Sequence, residues 1–196
     1  MAAAGFVLAG GRSRRMGRDK AMLPYRGRPL IAHVAGTVEK ALGKETWFGS
    51  GPVAIVGEPD RYRNLGYRVL ADIHENCGPL GGIITALSAS PVDWNLVVAC
   101  DMPNLDPEDL RMLVERSSNR TALCIAAEGE SREAEPLCAI YHRDCLPILR
   151  RALHDKKLKM KDVLRELHPE FVALPAESLA NLNTPEEWMA FEEQPE

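Results

Sequence analysis

The stretch Leu8-Ala9-Gly10-Gly11-Arg12-Ser13-Arg14-Arg15-Met16-Gly17-Arg18-Asp19-Lys20 follows directly on the apolar run of residues 2–8 and carries three glycines and five cations. Glycine lets backbone N–H groups approach an anion without a Cβ in the way, and Arg and Lys heads neutralise oxygens that the backbone does not reach. A short buried strand running into such a loop is how an α/β unit prepares to hold a polyphosphate. The loop is neither a Walker A sequence, which needs G-x-x-x-x-G-K-[ST], nor the dinucleotide fingerprint G-x-G-x-x-G. The bland alternative for it is a solvated basic turn between a strand and a helix.

Outward from this loop, apolar runs of strand length alternate with segments of helical period. That alternation is the pattern of a mostly parallel sheet covered by helices on both faces. Strands are expected over residues 4–9, 53–56, 68–71, 95–100, 122–126, 137–141 and 171–174. Helices are expected over 30–42, 81–88, 107–116, 144–154 and 161–168, with a last helix after Thr184. Asp106-Pro107-Glu108-Asp109 and Thr184-Pro185-Glu186-Glu187 each supply a cap residue, a proline at the first helical position and an acid in the first turn. Residues 128–132 separate two apolar runs by a hairpin's distance, so one antiparallel strand is expected in an otherwise parallel sheet.

The 196 residues suffice for one sizeable core, and no stretch has the composition of a linker, so a single domain over 1–196 is expected. Hydrophobic content of 45% with 27% charged residues fits a soluble globular chain and argues against disorder or a membrane span. Residues 1–9 lack the basic start and length of an export signal. Five cysteines, an odd number without a C-x-x-C pair, argue against a disulfide framework or zinc site and for a reducing, cytoplasmic compartment. The net charge of −4 is unevenly spread: residues 11–28 hold seven Arg or Lys against one Asp. So local a positive field suits a compact anionic ligand better than nucleic acid.

In open α/β sheets ligands bind beyond the carboxyl ends of the strands, so the residues after each apolar run are the candidates for chemistry. Asp72 follows the third strand, and Gly78-Pro79-Leu80-Gly81-Gly82 makes a second glycine-rich turn, which could equally just begin a helix. Asp101-Met102-Pro103 follows the run ending at Cys100. An Asp there is placed to hold Mg2+, which takes one or two carboxylates and completes its shell with phosphates and water. Its alternative role as a helix cap is already filled by Asp106. Asn181 and Asn183, two apart in an extended segment, share one face and offer amides to phosphates or a metal, or else form a turn before the last helix. Lys156-Lys157-Leu158-Lys159-Met160-Lys161 is a second basic cluster that could meet an anionic acceptor, with a solvated turn as its default reading, and the five histidines share no metal-ligand spacing and receive no role.

Taken together, Leu8-Ala9-Gly10-Gly11-x-Ser13-x-Arg15-Met16-Gly17-x-Asp19-Lys20, Gly78-Pro79-Leu80-Gly81-Gly82-Ile83, Cys100-Asp101-Met102-Pro103 and Asn181-Leu182-Asn183-Thr184-Pro185-Glu186-Glu187 resemble the molybdenum cofactor guanylyltransferase family over residues 6–187. The first motif alone is common to a wider superfamily of nucleotidyltransferases. The resemblance implies a Rossmann-like three-layer α/β/α sandwich and Mg2+-dependent transfer of GMP from GTP to the terminal phosphate of molybdenum-bound molybdopterin, with release of pyrophosphate. It implies that Leu8, Ala9, Gly10, Gly11, Lys20, Asp72 and Asp101 contact the nucleotide and that Asp101 binds the metal. Gly78, Gly82, Asn181 and Asn183 would face the acceptor. Further candidate partners are the molybdenum-insertion protein and the molybdoenzyme apo-proteins or their chaperones, with neither nucleic acid nor membrane.

Where many relatives carry an Asn-containing turn, this chain reads Gly57-Glu58-Pro59-Asp60, which bears on how the base is held. Gly10-Gly11 points to guanine, since cytidylyl-transferring relatives carry Ala-Gly at that step. The chemistry is coherent on its own: a phosphate monoester, with a second pKa of about 6, is mostly dianionic at neutral pH and needs no general base. Catalysis then rests on positioning and charge neutralisation, with Lys20, Arg15 and Asp101 as the catalytic set. The competing functions are a cytidylyltransferase or other nucleotidyltransferase of the superfamily, and a non-catalytic molybdopterin carrier.

Overall fold

A computed structural model describes residues 2–9, 19–49, 51–74, 76–119, 122–129 and 133–182. In chain order the strands and α-helices are β1 (Ala3–Leu8), β2 (Pro24–Tyr25), β3 (Arg28–Pro29), α1 (Leu30–Leu42), β4 (Val53–Val56), α2 (Pro59–Tyr62), β5 (Arg68–Leu70) and α3 (Gly78–Ala89), followed by β6 (Trp94–Ala99), α4 (Pro107–Arg116), β7 (Cys124–Glu128), β8 (Ala134–His142), α5 (Leu146–His154), α6 (Met160–Glu166) and β9 (Glu170–Ala173).

Seven of the strands form one sheet in the order β5-β4-β1-β6-β8-β7-β9. β1 pairs in parallel with β4 and β6, β4 with β5, and β7 with β9, while β8 is antiparallel to both β6 and β7. The reversed strand is thus β8, antiparallel to the preceding β7 as expected, while residues 130–132 between them lie outside the described residues. Pro24–Tyr25 and Arg28–Pro29 make a separate tight hairpin whose turn residues Arg26 and Gly27 both have positive φ, as a two-residue hairpin turn requires.

Two-face burial follows from alternation along each strand. Val7, Val53, Ile55, Leu96, Val98 and Ile140 point to one side, where Leu30, Ile31, Val34 and Val38 of α1 and Leu110 and Leu113 of α4 cover them. Ala4, Phe6, Leu8, Val56, Val97 and Tyr141 point to the other, beneath Leu80, Ile83 and Leu87 of α3, Leu149 of α5 and Val163 of α6. The result is a three-layer α/β/α sandwich of Rossmann-like type.

Gly5, central in β1, shows how close the layers lie: a Cβ there would fall 2.5 Å from Val38 Cγ1 and 2.8 Å from Leu42 Cδ1. Gly5→Ala is expected to destabilise the protein by about 2 kcal/mol through overpacking, lowering Tm by about 4–8 °C in thermal denaturation.

Boundaries shift where polar or ring-bearing residues take regular positions. α3 starts at Gly78 rather than 81, because Pro79 sits in its first turn, where a missing N–H costs nothing. β8 starts at Ala134 rather than 137, since Glu135 and Pro136 belong to a bulged strand segment. Arg143–Cys145 forms a 3-10 turn ahead of α5 instead of its first turn. The Asp106 cap is as expected, its Oδ1 accepting the Glu108 N–H at 2.7 Å. The cap at Thr184 and the last helix lie outside the described residues. No described helix is long and apolar enough to cross a membrane.

Candidate active site

The carboxyl ends of β1 and β6, the two central parallel strands, are tied side by side: the Cys100 N–H donates to Leu8 C=O at 3.2 Å, and the Ala9 N–H donates across to Val56 C=O at 2.9 Å. Leu8, Ala9 and Asp101 therefore stand on one rim. The chain returns to this rim at Asp19 and Lys20, where Lys20 Nζ lies 3.0 Å from Asp101 Oδ2. The two are 81 residues apart in sequence, and the Lys20 side chain is only 11% exposed. An ammonium held in this way is fixed in direction, with its charge little diluted by water.

Asp19 orders the approach. Its Oδ1 accepts the Ala21 N–H at 3.1 Å, capping the 3-10 turn Lys20–Met22 that carries Lys20. Its Oδ2 accepts the Tyr62 hydroxyl at 3.0 Å, and Arg61 Nη1 lies 3.5 Å away. Burial, with Asp19 alongside, raises the Tyr62 pKa well above that of a free phenol, so Tyr62 remains a proton donor. Gly57 makes room for the ring: a Cβ there would lie 2.8 Å from Tyr62 Cε2 and 3.0 Å from Ala9 Cβ. The 57–60 turn, read from sequence as a departure from relatives, thus supplies the platform for Tyr62.

On the other side of Asp101, His33 of α1 holds the loop. Its Nε2 lies 3.0 Å from Pro103 C=O and its Nδ1 lies 3.2 Å from Arg28 Nη2. A guanidinium only donates, so Nδ1 accepts and the Nε2–H donates to the carbonyl, which requires a neutral imidazole. Burial lowers the His33 pKa, the Pro103 bond works against that, and Arg28 adds to the lowering. Sequence spacing assigned His33 no role, because its partners are a backbone carbonyl and an arginine rather than a metal-ligand set. Beside it, burial together with the Asp101 charge pushes the Cys100 thiol up to about 12, so it stays protonated.

Asn181 reaches the same rim because the Leu182 N–H donates to Asp101 C=O at 3.0 Å. Asp72 follows β5 at the sheet's edge. Its Oδ1 accepts both the Thr85 hydroxyl and the His74 N–H at 2.9 Å, while Thr85 Oγ1 accepts the Ile73 N–H at 3.2 Å. Thr85, on α3, is a partner that sequence reading did not supply. Gly78 opens α3 with φ +61 and open space beside its Cα. Gly82 is buried one turn on, where a Cβ would lie 3.2 Å from Leu8 Cδ1, so α3 packs closely on the Leu8 side chain of β1 there. Gly10, Gly11, Arg15 and Asn183 lie outside the described residues.

For a divalent metal, the donor on this rim is the Asp101 carboxylate, a hard oxygen ligand, with the backbone of residues 181–182 tied beside it through the Leu182 N–H. Among the described residues no group of three or more His, Cys, Asp or Glu side chains could cage a metal ion. This donor set fits an Mg2+ ion that takes one or two protein oxygens and draws the rest of its shell from substrate phosphates and water.

With this geometry established, comparison with known proteins is specific. Residues 5–171 match the MobA-like NTP transferase domain. The chain is 32% identical over 191 residues to a molybdenum cofactor guanylyltransferase of Xanthomonas euvesicatoria pv. vesicatoria, covering 94% of this chain and 91% of that one. It is 35% identical over 183 residues to a probable molybdenum cofactor guanylyltransferase of Pyrococcus horikoshii, covering 93% and 88%. In structure it is similar to molybdopterin-guanine dinucleotide biosynthesis protein A of Archaeoglobus fulgidus, with a TM-score of 0.76 at 24% identity over 97% of each chain.

Proposed function

Because the chain belongs to the MobA-like NTP transferase domain family, and so is a nucleotidyltransferase, we propose that it transfers GMP from GTP to the terminal phosphate of molybdenum-bound molybdopterin, releasing pyrophosphate. The observation that carries this reading furthest is the Lys20–Asp101 pair, which joins the end of the glycine-rich loop to the carboxyl end of β6. A pure carrier has no use for a carboxylate and an ammonium fixed together where a triphosphate would enter.

In the proposed reaction an oxygen of the acceptor's phosphate forms a bond to the α-phosphorus of GTP. The bond from that phosphorus to the α,β-bridging oxygen breaks, and its electron pair leaves with pyrophosphate. The attacking phosphate is already dianionic, so the protein need not remove a proton. Lys20, with Arg15 from the loop, would neutralise charge on the leaving pyrophosphate. Asp101, joined by Asn181, would hold Mg2+, which when bound neutralises developing phosphate charge. His33 would keep the 101–103 loop in place, and Asp72, oriented by Thr85, would hold the guanosine. Gly78, Gly82, Asn181 and Asn183 would border the acceptor.

The test is a panel of GTP, CTP, ATP and UTP offered with Mg2+ and molybdenum-loaded molybdopterin, scored for dinucleotide product and pyrophosphate. GTP is expected to exceed CTP by about 10,000-fold in kcat/KM, the discrimination open to a site whose buried hydrogen-bonding groups the wrong base leaves unpaired. Preference for CTP would replace the guanine assignment, and absence of pyrophosphate with every nucleotide would remove the reaction.

A further inference from the structure

β8 is the reversed strand of the sheet, and it reaches the active-site rim with its amino end. Its pairing with β6 runs from Trp94↔His142 to Val98↔Cys138. Its pairing with β7 jumps from Ala126↔Ala139 to Ala127↔Glu135. The residues between form a bulge, pinned from beneath by the buried Tyr141 hydroxyl, which donates to Pro136 C=O at 2.7 Å. Bulges of this kind re-aim side chains beside active sites. Here the bulge places Glu135 and Leu137 at an open cavity of about 310 Å3, bordered by Pro79 at the start of α3 and by Lys159, Met160 and Lys161 at the start of α6. That volume is at the lower end of small-ligand pockets.

Building on the transfer reaction proposed above, we propose that this cavity seats the acceptor's pterin ring. Glu135 accepts the N–H groups of the ring's 2-amino-4-oxopyrimidine edge, and Lys159 faces the acceptor's anionic side. A flat heterobicycle needs apolar faces above and below and one polar edge. Pro79, Pro136, Leu137 and Met160 are the apolar residues of the lining, and Glu135 is its carboxylate. Glu135 Oε1 already accepts the Leu137 N–H at 3.1 Å, which fixes the group within the bulge. Two adjacent N–H donors are what a carboxylate pairs with most strongly. Burial raises the Glu135 pKa above the usual carboxylate value, against the Leu137 hydrogen bond and the Lys161 charge, which lower it. Lys161 is paired with Glu133 at 2.5 Å, while Lys159 is exposed at the mouth. A larger cavity of about 830 Å3, between the end of α1 and the start of α4, mixes Lys40, Lys44 and Arg111 with Glu39, Glu45 and Glu108 and lacks this apolar character.

The test uses the full chain and two probes: fluorescence titration with 6-hydroxymethylpterin, and steady-state kinetics with molybdenum-loaded molybdopterin. Glu135→Gln keeps the acceptor for Leu137 but loses the paired carboxylate oxygens. It is expected to weaken pterin binding and raise the acceptor KM about tenfold, with GTP binding by thermal shift unchanged. Lys159→Ala, at an exposed position that leaves the core untouched, should raise the acceptor KM about threefold. Unaltered pterin affinity in Glu135→Gln would overturn the seat, as would a parallel loss of GTP affinity, which would place Glu135 in the metal-nucleotide site. If the wild type binds the pterin through Glu135 yet makes no guanylyl product, the transfer reaction fails while the seat stands.

Discussion

Asp101→Asn is expected to lower kcat for dinucleotide formation about a thousandfold, equivalent to about 4 kcal/mol of transition-state stabilisation, while the protein stays folded. Asn keeps the size of the side chain and one carbonyl oxygen but removes the negative charge that a divalent cation needs. The pair with Lys20 is lost as well, yet it is partly solvated, so stability should fall by only about 1 kcal/mol. Single-turnover pyrophosphate release against Mg2+ concentration reads the first effect, and thermal denaturation reads the second. Activity near wild type would take Asp101 out of the mechanism. A collapse of Tm matching the loss of activity would make Asp101 a structural residue instead.

Lys20→Met is expected to cost about a hundredfold in kcat/KM for GTP. Its ammonium has two roles in the proposed site: it holds the Asp101 carboxylate in place, and it neutralises the departing pyrophosphate. Combining Lys20→Met with Asp101→Asn separates them. Groups that act as one unit are not additive, so the double variant should lose less than the product of the two single losses. Strictly multiplicative losses would show that the two residues act independently, despite the 3.0 Å contact between them.

The central strands were legible because a strand buried on both faces must be continuously apolar, as in Ala3–Leu8 and Trp94–Ala99. α1 and α4 were legible from apolar spacing and from the Asp106 cap. The pieces missed are those too short for periodicity to register, β2, β3 and α2, although α2 carries Tyr62, on which the position of Asp19 depends. β8 was read three residues short for the same reason that makes Glu135 interesting. A glutamate and a proline interrupt the apolar run, and a bulge absorbs them.

For the site, sequence alone determined the kinds of chemistry present: a cationic glycine-rich loop ending in Asp19-Lys20, an acid after the central apolar run, and a glycine-rich start to α3. These are local properties, set by which residues can approach an anion, cap a turn or begin a helix. Only the tertiary structure decided which of them meet. Lys20 reaches Asp101 because β1 and β6 are hydrogen-bonded neighbours, although 81 residues lie between the two side chains. His33 reaches Pro103, and Thr85 reaches Asp72, because helices from different parts of the chain are pressed onto the same sheet. A Cβ at Gly82 would press on the side chain of Leu8, a residue 74 positions earlier. Sheet order and layer spacing arise from long-range burial of apolar surface, and no local pattern of residues records them.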